Sequence, residues 1–238
     1  MSFSKITAIF LLLVCLFSFK CQAEPRLINH TRGDLTNTTL ELPFIALTGG
    51  LVLASYSYYL DDEVQEYFED HPFSRKFDDI GNWVGNPYIL SSASVLMYGS
   101  SLLTKNENFQ RTSETLVEAL IFNFVITEGI KLSFRRTRPN GGNYSFPSGH
   151  TSTAFTIAAV LQNMEGWKYG VPAYVAASAI GFSRIDGGYH YLSDVVFGAA
   201  LGATIGWGTS LFHQKENTKL MISPILDQTR GLMLSYKF

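Results

Sequence analysis

Three short polar clusters interrupt an otherwise apolar chain, and each holds residues that could act on a charged group. The first is Lys131-Leu-Ser-Phe-Arg-Arg-Thr-Arg138-Pro139, where a helix runs out into a loop. Lys131 falls in the last turn, and Pro139 stiffens the exit, so Lys131 and Arg138 can converge on one point. Alone, the cluster reads equally as basic residues favoured at a helix C-terminus by the macrodipole. The second is Phe146-Pro147-Ser148-Gly149-His150-Thr151-Ser152, set just before an apolar helix. Gly149 lets the backbone approach a ligand, and the free N–H groups of the helix start, with the Ser148 hydroxyl, make an anion site. His150 in the same turn can give or take a proton. The plainer reading of this cluster is a helix cap by Ser148 or Thr151. The third runs from Ser183 and Arg184 through Gly187-Gly188 to His190 and Asp194. His190 and Asp194 stand four apart at a helix start and so share a face. That spacing lets Asp194 take the Nδ1 proton of His190 and leaves Nε2 free as nucleophile or base; a plain capping pair is the alternative. Asp186 lies in the same cluster, but its spacing marks no role.

Taken together the clusters suit one task. Lys131, Arg138 and Arg184 would clamp a phosphoryl group and neutralise its equatorial oxygens while a histidine attacks in line. At this point the residues resemble the type-2 phosphatidic-acid phosphatase superfamily, which includes bacterial class A acid phosphatases, lipid phosphate phosphatases and vanadium haloperoxidases. Its motifs, K-x6-R-P, P-S-G-H and S-R-x5-H-x3-D, stand complete as Lys131 to Pro139, Pro147 to His150 and Ser183 to Asp194. The resemblance covers about residues 110 to 210. It implies that His190 forms a phosphohistidine, oriented by Asp194, and that His150 protonates the leaving oxygen and then activates water. Lys131, Arg138 and Arg184 would hold the phosphate, assisted by Ser148 and the Gly149 N–H. It further implies no metal and no cofactor, and a helical bundle with the site at one end. The expected activity is hydrolysis of phosphate monoesters or pyrophosphates, of lipid or isoprenoid type, with soluble phosphate esters as the alternative substrate. A vanadium haloperoxidase would use the same residues, but such relatives are much longer. A phosphate-binding protein without chemistry would not need the His190–Asp194 spacing.

The elements that must position these residues are apolar. Of 238 residues 46% are hydrophobic and 16% charged, against the roughly 25% charged of ordinary soluble domains, with a formal net charge of −2. No basic cluster is present, which argues against a nucleic-acid partner. Residues 1–23 read as a secretion signal: Lys5, an apolar run from Ile6 to Phe19, and Cys21-Gln22-Ala23 before Glu24. Glu24 to Glu41 reads as an exposed arm, Asp61 to Asp79 as an acidic amphipathic connector, and Arg135 to Gly149 as loop. Helical spacing marks a segment opened by Ser113 and Glu114, then Thr151–Met164, Val171–Phe182 and Tyr191–Phe212. Gly198, Gly202 and Gly206 make a smooth stripe on the last of these, where another helix can approach closely. Leu220 to Phe238 reads as a small hairpin. The expected class is an all-α bundle of about six helices over residues 24–218, followed by a β tail at 219–238. Short segments near the motifs, and Glu118 and Glu128 within one of them, argue for a periplasmic domain that is soluble or attached to the membrane surface. An integral inner-membrane protein is the alternative, because Pro43–Leu60 and Asn82–Thr104 are long enough to span.

Overall fold

The structure is a computed structural model that describes residues 35–215 and the segments 220–225 and 231–236. Eight helices follow in order: α1 (Leu35–Tyr58), α2 (Asp61–Asp70), α3 (Arg75–Val84), α4 (Pro87–Ser101), α5 (Glu107–Phe134), α6 (Gly149–Glu165), α7 (Trp167–Asp186) and α8 (Leu192–Lys215). Their starts are written in the sequence. Asn86 accepts from the N–H groups of Tyr88 and Ile89 with Pro87 in the first position, and Asn106 accepts from Phe109. Helix α5 ends where Arg135 turns left-handed at φ 48°, which sends the chain into the 135–148 loop. Gly166, at φ 84°, lets the chain reverse between α6 and α7.

Helix α6 is the hub, packed against α5, α7 and α8, with α1 closing on the far side of α8. The interface of α6 with α8 is close because its residues are small: Ala154, Ala158 and Ala159 share one buried cluster with Ala199 and Ala203, while Ala200 faces Gly50 of α1. The glycine stripe of α8 faces α6. A Cβ at Gly198 would stand 2.8 Å from the Ser148 carbonyl oxygen, and one at Gly202 would stand 3.0 Å from the Thr156 nitrogen. The first turn of α6 and the start of α8, which carry the second and third clusters, are thereby held at backbone-contact distance.

The expected class needs correction. The described residues form eight helices, not about six, because the acidic connector folds as two ten-residue helices, α2 and α3. The bundle itself is built by helices alone, and among the described residues no strand packs into it. Segments 220–225 and 231–236 lie antiparallel to one another with Leu220 opposite Tyr236, and they add no layer to the bundle. The arm is shorter than expected, since α1 already begins at Leu35, and the motif helices are longer. Gly149–Glu165 has 17 residues and Trp167–Asp186 has 20, because each extends through the polar residues that the apolar periodicity does not count. The expected secretion signal at 1–23 lies outside the described residues.

Candidate active site

The three clusters meet at one end of the bundle, joined by their own backbones. The N–H of Ser148 donates to the carbonyl of Asp194 at 3.1 Å, and that of Asn140 donates to the carbonyl of Gly188 at 3.2 Å. Lys131, Arg138, Gly149, His150 and His190 line a cavity of about 200 Å³, together with Asn86, Tyr88, Asn123, Phe124 and Glu128. Lys131 arrives on the last turn of α5. Arg138 is held in the loop, its Nε donating to the Asn143 carbonyl at 3.0 Å. A Cβ on Gly149 would meet the Lys131 ammonium at 3.2 Å, so glycine keeps the cation's space open. Ser148 caps α6, accepting from the Thr151 N–H and, at 3.0 Å, from the Thr151 hydroxyl. The Nε2 atom of His150 is buried without a hydrogen-bond partner and belongs to the cavity wall.

Behind this wall stand Arg184 and Asp194, which the cavity does not touch. Arg184 is 1% exposed and its guanidinium is already engaged. Nη1 donates to Asn82 Oδ1 at 2.9 Å, Nη2 donates to the Asp78 carbonyl at 3.0 Å, and the Ser183 hydroxyl accepts from Nε and Nη2. Asp194 is fully buried, and its Oδ2 accepts from the Tyr191 N–H at 3.0 Å. His190 is almost fully buried, and its Nδ1 lies 3.8 Å from Asp194 Oδ2. Burial holds the His190 imidazole below its usual pKa against the pull of Asp194, so at neutral pH the ring is uncharged and keeps a lone pair. A neutral imidazole, two cations open to a cavity and a third just behind it form an arrangement that can bind a tetrahedral anion and attack it.

Several residues of this region carry no motif signal. Arg136 bonds Asp194 and Asp61, each at 2.7 Å, and Ser145 donates to Asp194 at 2.5 Å. Asp186, to which spacing assigned nothing, accepts from the backbone N–H of Phe73 at 2.8 Å and of Ser74, and so ties the lead-in of α3 to the end of α7. Beside it Asp78 Oδ1 is buried without a partner. Burial first, and then the Asp186 charge, push the Asp78 carboxyl up to about 7. The run Arg135-Arg136-Thr-Arg138 could have drawn attention to Arg136 as a cation beyond those the motif needs. Nothing in spacing could have linked it to Asp61, 75 residues earlier. Of the acids on α5, Glu118 pairs with His213 at 2.7 Å and Glu128 with Lys131 at 2.8 Å. Among the described residues no group of three His, Cys, Asp or Glu side chains is placed to hold a metal ion.

Comparison with known proteins follows the same segment. A family model of the PAP2 superfamily matches residues 140–218. The chain is 34% identical over 163 residues to a lipid A 1-phosphatase of Porphyromonas gingivalis, across 66% of this chain and 36% of that protein. It is 41% identical over 88 residues to a decaprenylphosphoryl-5-phosphoribose phosphatase of Mycobacterium tuberculosis, across 32% of this chain and 48% of that one. The chain thus spans less than half the length of either relative. The crystal structure of a transmembrane PAP2 type phosphatidylglycerolphosphate phosphatase from Bacillus subtilis superposes with a TM-score of 0.58 at 20% identity. That match covers 73% of this chain and 96% of the other, a likeness of fold.

Proposed function

The chain belongs to the PAP2 superfamily, and from that premise we propose that it is a phosphatase acting on lipid-linked phosphates through a phosphohistidine. The observation that carries the reading is the meeting of Lys131, Arg138, Gly149, His150 and His190 around one cavity. In the first step Nε2 of His190 attacks phosphorus and the bond to the leaving oxygen breaks. His150, held down to about 3 by burial first and then by the Arg184 charge, is protonated once the anionic ester sits beside it and gives that oxygen the proton. In the second, water loses a proton to His150 and displaces the histidine, releasing phosphate. Lys131 and Arg138 face the phosphoryl oxygens, and Arg184 supports them from behind with Ser148 and the Gly149 N–H. These fixed charges and dipoles stabilise the five-coordinate state more than the bound ester. Asp194 orients His190.

The substrate class draws on two supports. The relatives just named act, by their names, on a lipid A phosphate and on a decaprenyl-linked phosphate. The outer surface of the bundle is also apolar: Phe44 and Val52 on α1, Leu96 on α4, and Phe122 and Val125 on α5 are each more than half exposed. Tyr58, Tyr59, Trp83 and Tyr88 stand exposed toward the site end, and Trp167 and Tyr169 at the opposite end. An apolar band between two sets of aromatic residues is the surface of a protein that sits in a bilayer. Helix α8, over Leu192–Gln214, is long and apolar enough to cross a membrane, and Pro43–Tyr58 with Asp61–Asp70 would pass the same test as one bent span of 63°. We therefore read the protein as integral to a membrane, with the cavity at one face of it.

Purified full-length protein in detergent, assayed for phosphate release from lipid phosphates, isoprenoid phosphates and soluble esters, tests the reading. Turnover is expected with the lipid substrates, inhibited by orthovanadate and unaffected by EDTA. Activity lost to a chelator and restored by a divalent ion would overturn the mechanism. Preference for a soluble ester would overturn the substrate class, and extraction by a carbonate wash would overturn the integral placement.

A further inference from the structure

Asp194 is held by more than its histidine. The 3.8 Å between His190 Nδ1 and Asp194 Oδ2 is too long for a hydrogen bond. Ser145 fills the gap, its hydroxyl 2.5 Å from Oδ2 and 3.5 Å from Nδ1. The other carboxylate oxygen, Oδ1, accepts from Arg136 Nη1 at 2.7 Å. Arg136 Nη2 reaches Asp61 Oδ2, also at 2.7 Å, and the guanidinium lies 4.1 Å over the Tyr191 ring. Asp61 in turn accepts from the Ser193 N–H at 2.9 Å and from the Ser193 hydroxyl at 2.5 Å. Arg136 and Ser145 are delivered together, because the Ser145 N–H donates to the Arg136 carbonyl at 2.8 Å across the loop.

A fully buried carboxylate demands compensation, since leaving it unpaired is costly. Arg136 supplies the charge, and its planar fork can hold two carboxylates in fixed directions at once, which an ammonium cannot do. Asp61 completes the arrangement by gripping the first turn of α8, the element that carries Asp194.

We propose that Ser145 and Arg136 are positioning residues for the nucleophile: Ser145 connects His190 to Asp194, and Arg136, anchored by Asp61, fixes the carboxylate. This inference rests on the phosphatase reading above, in which Nε2 attacks. Nδ1–H of His190 donates to the Ser145 oxygen, and the Ser145 proton goes to Asp194 Oδ2. That chain selects the tautomer with Nε2 unprotonated. Neither residue lines the phosphate cavity, so their removal should slow the chemical step and leave binding intact.

The test compares full-length wild type with Ser145→Ala and Arg136→Lys on one lipid phosphate, reading kcat, KM and the inhibition constant of inorganic phosphate. Both variants are expected to lose kcat roughly 10- to 100-fold, the usual scale for an outer partner of a reacting group. KM and the phosphate constant should stay within twofold. Ser145→Thr, which keeps the hydroxyl, should recover most of the lost kcat. A Ser145→Ala kcat within twofold of wild type overturns the connection. Parallel loss of phosphate binding overturns it too, because the residue would then only be shaping the loop. Wild type that binds phosphate but turns over no ester overturns the phosphatase reading itself, and this inference with it.

Discussion

Replacing Gly202 by alanine tests whether the contact between α6 and α8 sets the geometry of the site. The new Cβ would fall on the Ser152 carbonyl oxygen, its nearest neighbour, and stand 2.9 Å from that carbonyl carbon and 3.0 Å from the Thr156 nitrogen, where non-bonded carbon contacts settle at about 3.5–4.0 Å. Both obstacles are backbone, so no side chain can swing away. The helices must part by about 1 Å or more to restore ordinary contact. Overpacking of this kind costs about 1–3 kcal/mol, and the better helix propensity of alanine returns about 1 kcal/mol. The net loss of stability is thus about 0–2 kcal/mol, too little to unfold an ordinary domain. Activity should suffer more. His150 rides on the first turn of α6 and Asp194 on the first turn of α8, and a misplacement of about 1 Å can cost about 100-fold in rate. Gly208 is the control, since it lies on the same helix and a Cβ there meets nothing within 4 Å. Phosphate release and the thermal unfolding midpoint would be measured for both variants in detergent. Gly208→Ala should match wild type or exceed it in stability. If Gly202→Ala kept the activity of Gly208→Ala to within twofold, α6 and α8 would not hold the site in register.

Three further expectations follow from the site. His190→Ala should abolish turnover and the acid-labile phosphoenzyme while circular dichroism stays unchanged; residual turnover near wild type would remove His190 as nucleophile. Glu128→Gln frees Lys131 from a partly exposed ion pair worth about 0.2–1 kcal/mol, so inorganic phosphate should inhibit about 1.5- to 5-fold more tightly, and unchanged or weaker inhibition would deny the competition. Asp78 is raised from 3.8 to about 7 in the folded protein, so folding takes up a proton there. Its contribution is present below the unfolded value and lost as pH rises through about 7. Asp78→Asn should flatten the fall in unfolding midpoint between pH 5 and pH 8, and an identical fall in both proteins would place the titration elsewhere.

What was legible in the chain follows its physics. Motif residues carry their chemistry in type and spacing, and the glycine stripe of α8 predicts a close neighbour without naming it, so Lys131, Arg138, His150 and His190 could be brought together on paper. Helices α2 and α3 surface in the sequence only as one amphipathic connector, because ten-residue helices are too short to hold alone, and what makes them helices is docking on α7 and α8. Arg184 was expected at the phosphate, and its bonds to Asn82 and Asp78 depend on α3 lying over it. The role of Asp61 is invisible for the same reason, since its partners are brought to it only by the folded bundle. Motif helices were read short because polar first turns, such as Gly149-His150, serve the site rather than the core.

Asp61 reaches its Ser193 partners across 132 residues, and Arg184 reaches Asn82 across 102. The recognisable signature is therefore not a transferable module. An excised segment bearing only the three motifs would leave Arg136 with one acid and the guanidinium of Arg184 short of two acceptors. Grafting those motifs onto another helical scaffold would carry over the reacting groups but not the counter-charges that hold them still. Substitution at residue 61 is constrained jointly with residue 136, so divergence in the front half of the chain is bound to the chemistry of the back half.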